Sequence, residues 1–191
     1  MMYGIDLLMK EHENIIVFTR HLRKICCAVI EGADIDVQEF LECIDFARNY
    51  ADKHHHGKEE QILFRYMLDN SDTVAEKLVR NGMLVEHDFG RYHIGELKNA
   101  LKQYASVPTT EGKLDIVTHA AGYVDLLRRH IEKEDSVCYT YALRTLSEEC
   151  KTQIDERTRE FEKKAEQDGI QEKYLTWLEK RKQAKKDYES E

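Results

Sequence analysis

The stretch His55-His56-Gly57-Lys58-Glu59-Glu60-Gln61-Ile62-Leu63-Phe64 returns without a gap as His130-Ile131-Glu132-Lys133-Glu134-Asp135-Ser136-Val137-Cys138-Tyr139. Each copy carries a histidine followed four residues later by a glutamate. On a helix, residues i and i+4 share one face about 6 Å apart, so each pair turns an imidazole nitrogen and a carboxylate toward one point. A single pair of this kind carries little weight in a Glu-rich chain with nine histidines. Two pairs inside a duplicated element carry much more.

The segments around the two copies read as helix. One proline, nine glycines and 35% charged residues suit long helices rather than sheets, and 191 residues suit one domain with an appendage. Ile5, Leu8, Met9, Ile15, Ile16, Leu22, Val29 and Ile30 recur at three and four, which predicts a first helix ending near Gly32. A second, from about Asp36 to Leu68, carries Val37, Phe40, Leu41, Ile44, Ala47 and Ala51 down one face to His55, Glu59, Ile62 and Tyr66. The turn from Asp69 to Asp72 comes next, with Ser71 or Asp72 as the cap of the third helix. That helix, about Thr73 to Tyr104, places Val79, Met83, His87, Gly90, Ile94, Leu97 and Leu101 inward, and Ser106 to Thr110 with Pro108 ends it. The fourth, about Glu111 to Leu146, has the inner face Ile116, Ala120, Tyr123, Leu127, His130, Glu134, Val137 and Tyr141.

Short connections between such helices favour antiparallel neighbours. The expected fold is all-α, an up-down-up-down four-helix bundle over residues 1–146 with a charged helical extension over 147–191. Ser147 caps the first helix of that extension, and Ile170, Tyr174, Trp177 and Leu178 mark a further helical segment. The extension is expected to lie on the outside of the bundle or against a second copy of the chain, as in a homodimer.

Depth ties the candidate residues together. His55 lies about 14 residues before the end of its helix, His87 about 15 after the start of its own, and His130 about 16 before its end, which is one level of an antiparallel bundle. His12 comes from the matching end of the first helix, on a stripe with Met9 and Ile16. Four histidines and two glutamates then converge from four helices. Burying so many ionisable groups without a cation costs several kcal/mol per unpaired charge, so a metal is the natural neutraliser. Imidazole and carboxylate ligands without thiolate suit iron or manganese, and two bridging carboxylates suit two metals roughly 3.5 to 4 Å apart. No histidine has a glutamate three residues before it, so the Glu-x-x-His signature of ferritin-like di-iron proteins is missing.

A rival register pairs His56 with Glu60. Stepping back from His56 along an α-helix meets Lys53, Asp52, Asn49 and Asp45, a polar face, whereas His55 continues from Ala51, Ala47 and Ile44. His54, His56 and Glu60 are therefore expected to flank or support the ligands. His21 and His93 read as ordinary helix residues and His119 as a core or supporting residue. Cys26, Cys27, Cys43, Cys138 and Cys150 are odd in number and form no C-x-x-C, so they read as buried small hydrophobes rather than disulfide partners or zinc ligands.

A formal charge of −8 speaks against a nucleic-acid binder. No apolar run approaches the roughly 20 residues that span a bilayer. The amino-terminal stretch MMYGIDLLMKEHENI has neither a basic region nor a cleavage-like site, so the chain is expected to be soluble and cytoplasmic, without membrane partners.

With His12, HHGKEE (55–60), EHD (86–88) and HIEKED (130–135) in order on successive helices, roughly residues 1 to 160 resemble the hemerythrin-like HHE cation-binding domain. The resemblance implies a four-helix bundle with a carboxylate-bridged, non-haem di-iron centre, oxo- or hydroxo-bridged, that meets dioxygen, peroxide or nitric oxide. It makes His12, His55, His87 and His130 terminal ligands and Glu59 and Glu134 bridges. Oxygen-carrying hemerythrins are similar but place a fifth histidine where this chain has Arg91, and space their last carboxylate further than His130 to Glu134. The set also resembles di-iron proteins linked to repair of iron-sulfur centres, without their small Cys-bearing amino-terminal domain.

The expectation for function is a di-iron protein with open coordination positions that senses, scavenges or protects against dioxygen, nitric oxide or peroxide, as in a stress response. The alternative is a module that stores or delivers iron without turnover. Tyr123, about two turns from His130 on the inner face, is a candidate donor to a small ligand.

Overall fold

The computed structural model describes residues 2–70 and 72–188, excepting side chains beyond residue 182. No strand occurs among these residues, and they form six helices: α1 (Tyr3–Ile30), α2 (37–70), α3 (73–106), α4 (110–145), α5 (Glu148–Gln167) and α6 (Ile170–Tyr188).

The ends are set by local chemistry. Asp36 accepts from the Glu39 amide, Asp72 from those of Val74 and Ala75, Thr109 from that of Gly112 and Ser147 from that of Cys150. Each satisfies an amide that the first helical turn leaves without a partner. Of the two caps expected before α3, Asp72 fills the role and Ser71 lies outside the described residues. Pro108 holds Val107 in an extended conformation, and α3 stops at Ser106. Gly32 has φ +106°, a region closed to most side chains, and turns the chain out of α1.

α1 has no side-chain cap of its own. Asp155 of α5 provides one, accepting from the amides of Tyr3 at 3.0 Å and Gly4 at 2.8 Å. A Cβ on Gly4 would stand 3.1 Å from Thr158 Oγ1 and 3.2 Å from Ile154 Cγ2, so glycine here lets α5 lie close along α1. α6 is fastened to α2 by Tyr174 and Lys173 on Asp45, Trp177 on Glu42, and Arg181 on Glu39 and Glu42.

α1 packs on α2, α2 on α3, α3 on α4 and α4 back on α1, a helical bundle. Its interior holds two apolar clusters. One gathers Ile15, Phe18, Ala51, Ile94, Leu97 and Leu127, and the other Leu8, Ile62, Met83, Cys138 and Ala142. Each of the four helices passes from one cluster to the other through a polar residue: His12 in α1, His55 and Glu59 in α2, His87 in α3, Glu134 in α4. A buried polar layer therefore crosses the bundle between two cores. The extension joins both, with Ile154 in the second and Tyr174 and Leu178 in the first.

Four stretches beside this layer are π-helical rather than α-helical: Ala47–His56, Glu59–Leu63, Val79–Met83 and Glu134–Cys138. Such turns are rare and cluster at functional sites. Each carries more residues per turn and so shifts the register of the residues beyond it. That is why Val137, expected inward, is 48% exposed, while Tyr139 is buried. Met9 and Leu41, also expected inward, sit at the stripe's edges beside buried Leu8 and Phe40 and face outward, as does Ile30 at the end of α1. All five cysteines are free; Cys26, Cys43 and Cys138 are buried as expected, but Cys27 is exposed and Cys150 half-buried.

Candidate metal centre

The polar layer is built from the helices inward. His12, His55, His87 and His130 are each 1% exposed, and Glu59 and Glu134 are fully buried. Around Glu134, His12 Nε2 and His130 Nε2 both stand 3.2 Å from Oε2 and His87 Nε2 3.7 Å from Oε1. Around Glu59 Oε2, His87 Nε2 is at 3.5 Å and His55 Nε2 at 3.8 Å. All six residues singled out in the sequence therefore meet.

A seventh residue joins them. His56 is buried, its ring 5.7 Å from that of His130, and it shares one set of close ligand atoms with Glu59, His87 and His130. A second set is His12, His55, Glu59 and Glu134. In each, the ligand atoms lie within 4.8 Å of one another, and Glu59 belongs to both. The expectation that His56 merely flanks the ligands rested on α-helical spacing. Its own segment is π-helical, which brings His54, His55 and His56 all into the interior. The polar face behind it serves the centre too, since Asp52 is the partner of His56.

The five imidazoles share one arrangement. Nδ1 of His12 donates to Asp135 at 2.7 Å, of His55 to Glu11 at 2.9 Å, of His56 to Asp52 at 3.4 Å, of His87 to Glu60 at 2.7 Å and of His130 to Glu86 at 3.0 Å. A carboxylate only accepts, so it fixes the proton on Nδ1 and leaves the Nε2 lone pair for the interior. Carboxylate partners of this kind orient metal-ligating histidines and raise their basicity.

The interior is short of partners. His55 Nε2, Glu59 Oε2 and both Glu134 oxygens are buried without a hydrogen bond. Leaving such atoms unpaired is costly, and a cation between them removes the cost. Without a metal, protons take that part. Burial opposes charge on the imidazoles, yet the carboxylates outweigh it, lifting His12 and His87 to about 9 and His130 to about 10. Burial and the neighbouring Glu134 charge raise Glu59 to about 8. Burial lowers His55 to about 4 and holds His56 well below the usual imidazole range. It also pushes the Cys138 thiol up, and that sulfur belongs to neither set of close ligand atoms.

Tyr139, which sequence reasoning passed over, stacks beside His12 and donates its hydroxyl to Glu59. Burial raises this phenol well above its ordinary range, so it remains a proton donor. Tyr123 instead lines a cavity of about 290 Å³ with His56, His87, Gly90, Ile94 and Arg91. Arg91 closes the rim by pairing with Asp52 and Glu60 at 2.7 Å and with Asp88 at 3.0 Å, thereby bracing the carboxylate partners of His56 and His87. His119 supports no ligand; it pairs with His93 at 3.4 Å. His21 bonds Glu39 beneath Trp177.

The arrangement repeats across the two halves of the bundle. Glu11 and His12 of α1 correspond to Glu86 and His87 of α3, and Lys58 beside Glu11 corresponds to Lys133 beside Glu86. The doubling that the sequence displays in α2 and α4 therefore extends to the partners that those helices meet.

A comparison with proteins of curated function finds no match. The family model described as the hemerythrin HHE cation binding domain matches residues 3–142, and with so much of its length covered the chain belongs to that family.

Proposed function

We propose that this protein is a non-haem di-iron protein whose centre reacts with dioxygen, nitric oxide or peroxide. In this reading α1 to α4 run up-down-up-down, as short links between packed neighbours favour. His12 and His55 would hold one ion and His56, His87 and His130 the other, with Glu59 and Glu134 as the carboxylates shared between them. The observation that carries it is the set of five buried imidazoles, each with its Nδ1 on a carboxylate, four of which, His12, His55, His87 and His130, bring Nε2 within 3.8 Å of Glu59 or Glu134 oxygens that lack a hydrogen-bond partner.

Nitrogen and oxygen donors without thiolate suit iron, with manganese as the alternative metal. Bound iron supplies the redox and Lewis-acid chemistry that small oxidants and nitric oxide meet. The chain's own residues do the rest. Tyr139 holds Glu59 and keeps a hydroxyl proton in the centre. The cavity beside His56 and His87 admits a small ligand, its 290 Å³ being several times the roughly 30 Å³ that a water occupies in the liquid. Two apolar clusters exclude bulk water on either side.

Burial and the carboxylate partners favour a retained, reactive centre over a labile store that delivers iron. Metal analysis of protein from iron-fed cells tests this, combined with absorbance of the anaerobic ferrous form on adding dioxygen, nitric oxide and peroxide in turn. We expect two iron ions per chain and a charge-transfer band that responds to at least one of the three. Absence of stoichiometric metal would overturn the reading, and rapid surrender of iron to a chelator with no response would favour storage.

A further inference from the structure

The two Lys–Glu–His sets, alike in sequence, differ in their surroundings. Lys133 is 47% exposed where it meets Glu86, whereas Lys58 is 1% exposed. What buries Lys58 is the extension. Glu162 of α5 accepts from its ammonium at 2.5 Å, and the ring of Phe161 lies 5.7 Å from it. Lys58 also bonds Glu11 Oε1, and His54 Nε2 lies 3.0 Å from both that oxygen and the ammonium. The other Glu11 oxygen, Oε2, is the acceptor for His55 Nδ1. A chain of contacts thus runs from α5, through Lys58 and Glu11, to a histidine of the centre.

We propose that helix α5 is a working part of the metal centre, with Glu162 the positioning residue that sets, through Lys58 and Glu11, how His55 presents its Nε2. The inference rests on the di-iron reading above. Its physical basis is the sharing of one ammonium between two carboxylates. With Glu162 present, Lys58 divides its charge between Glu162 and Glu11, and Glu11 remains a strong acceptor for His55. Without it, the ammonium turns wholly on Glu11, the Nδ1 bond weakens and Nε2 becomes a poorer donor. Among the described residues, no carboxylate of the extension meets Lys133, so α5 makes two otherwise similar halves unequal. Asp155, which caps the start of α1, fixes the helix of Glu11 from the same side.

The test compares full-length wild type with Glu162→Gln, which keeps the shape and removes the charge, Glu162→Asp, which restores it, and Glu160→Gln, an exposed control on the same helix. Release of bound iron to a chelator is measured in each. The His55 Nδ1–H resonance is monitored in the zinc-loaded, diamagnetic protein. We expect Glu162→Gln to speed release of one of the two ions about tenfold, the low end for partners behind a ligand, and to shift the His55 resonance. Glu162→Asp recovers part of both effects and Glu160→Gln changes neither. Unaltered release and resonance in Glu162→Gln, with wild type holding two ions, would overturn this inference alone. Equal acceleration of both ions together with a lowered thermal midpoint would overturn it as well, because it would mark a general loss of stability. Wild type without two ions would remove the di-iron reading and this inference with it.

Discussion

The His56 ring lies on the His87 ring, centroids 3.8 Å apart and planes 7° from parallel. The two imidazoles come from α2 and α3, and the stack aligns their edges on the same interior point. Asp52 and Glu60, which hold their Nδ1 atoms, are joined by the single guanidinium of Arg91. One surface residue thereby indexes two candidate ligands.

His56→Ala is therefore expected to reduce bound metal from two ions toward one, with an affinity loss at that position beyond the roughly 10 to 100-fold typical of residues behind a ligand. His119→Ala, which removes a histidine that meets His93 and supports no ligand, should keep both ions. Metal content after dialysis against graded chelator decides it, and two ions retained by His56→Ala would remove His56 from the ligand set.

Arg91→Ala cuts its ion pairs with Asp52 and Glu60 at a partly exposed rim, and such pairs contribute little to stability, about 0 to 1 kcal/mol. We expect a nearly unchanged denaturation midpoint, metal release faster by about tenfold, and quicker entry of azide or nitric oxide through the opened rim. Stopped-flow absorbance with both ligands measures the last effect. A slower association rate would contradict the placement of Arg91 as a barrier.

Tyr139→Phe removes the hydroxyl that donates to Glu59 and leaves a buried carboxylate oxygen poorer by one partner. The metal-free protein should lose about 1 to 3 kcal/mol in urea unfolding. The loss should shrink when metal is bound, since a cation then satisfies the same carboxylate. An equal loss in both forms would mean that Glu59 does not face the metal.

The pH dependence has a definite sign. His12 and His87 at about 9 and His130 at about 10 stand above the ordinary imidazole value of 6.5, so near pH 7 they carry protons in the folded, metal-free protein. Metal must displace those protons, so uptake acidifies a weakly buffered solution and apparent affinity climbs with pH to about 9 or 10. By linkage, the stability these groups lend the metal-free protein is full below pH 6.5 and lost as pH rises through 9 to 10. His55, at about 4, acts oppositely: its contribution is lost as pH falls from 6.5 through 4. A pH-stat titration with ferrous iron and urea midpoints across pH 4 to 10 check both. Metal uptake without proton release would contradict this charge assignment.

The amino-acid sequence by itself determined the helices, most of their ends and six of the seven residues that meet in the polar layer. Apolar spacing and capping residues are local properties, and His-x-x-x-Glu works within a single helix. Only the tertiary structure decided the rest. An α-helical wheel turns His56 and Tyr139 away and Val137 inward, because it assigns every residue the same angular step. The π-helical turns at Ala47–His56 and Glu134–Cys138 break that assumption, bringing in His56 and Tyr139 and turning Val137 out. The carboxylates behind His12, His55, His87 and His130 come from other helices, and Glu162 from the extension, so no spacing along the chain announces them. They are juxtapositions, and a juxtaposition exists only once the helices have packed.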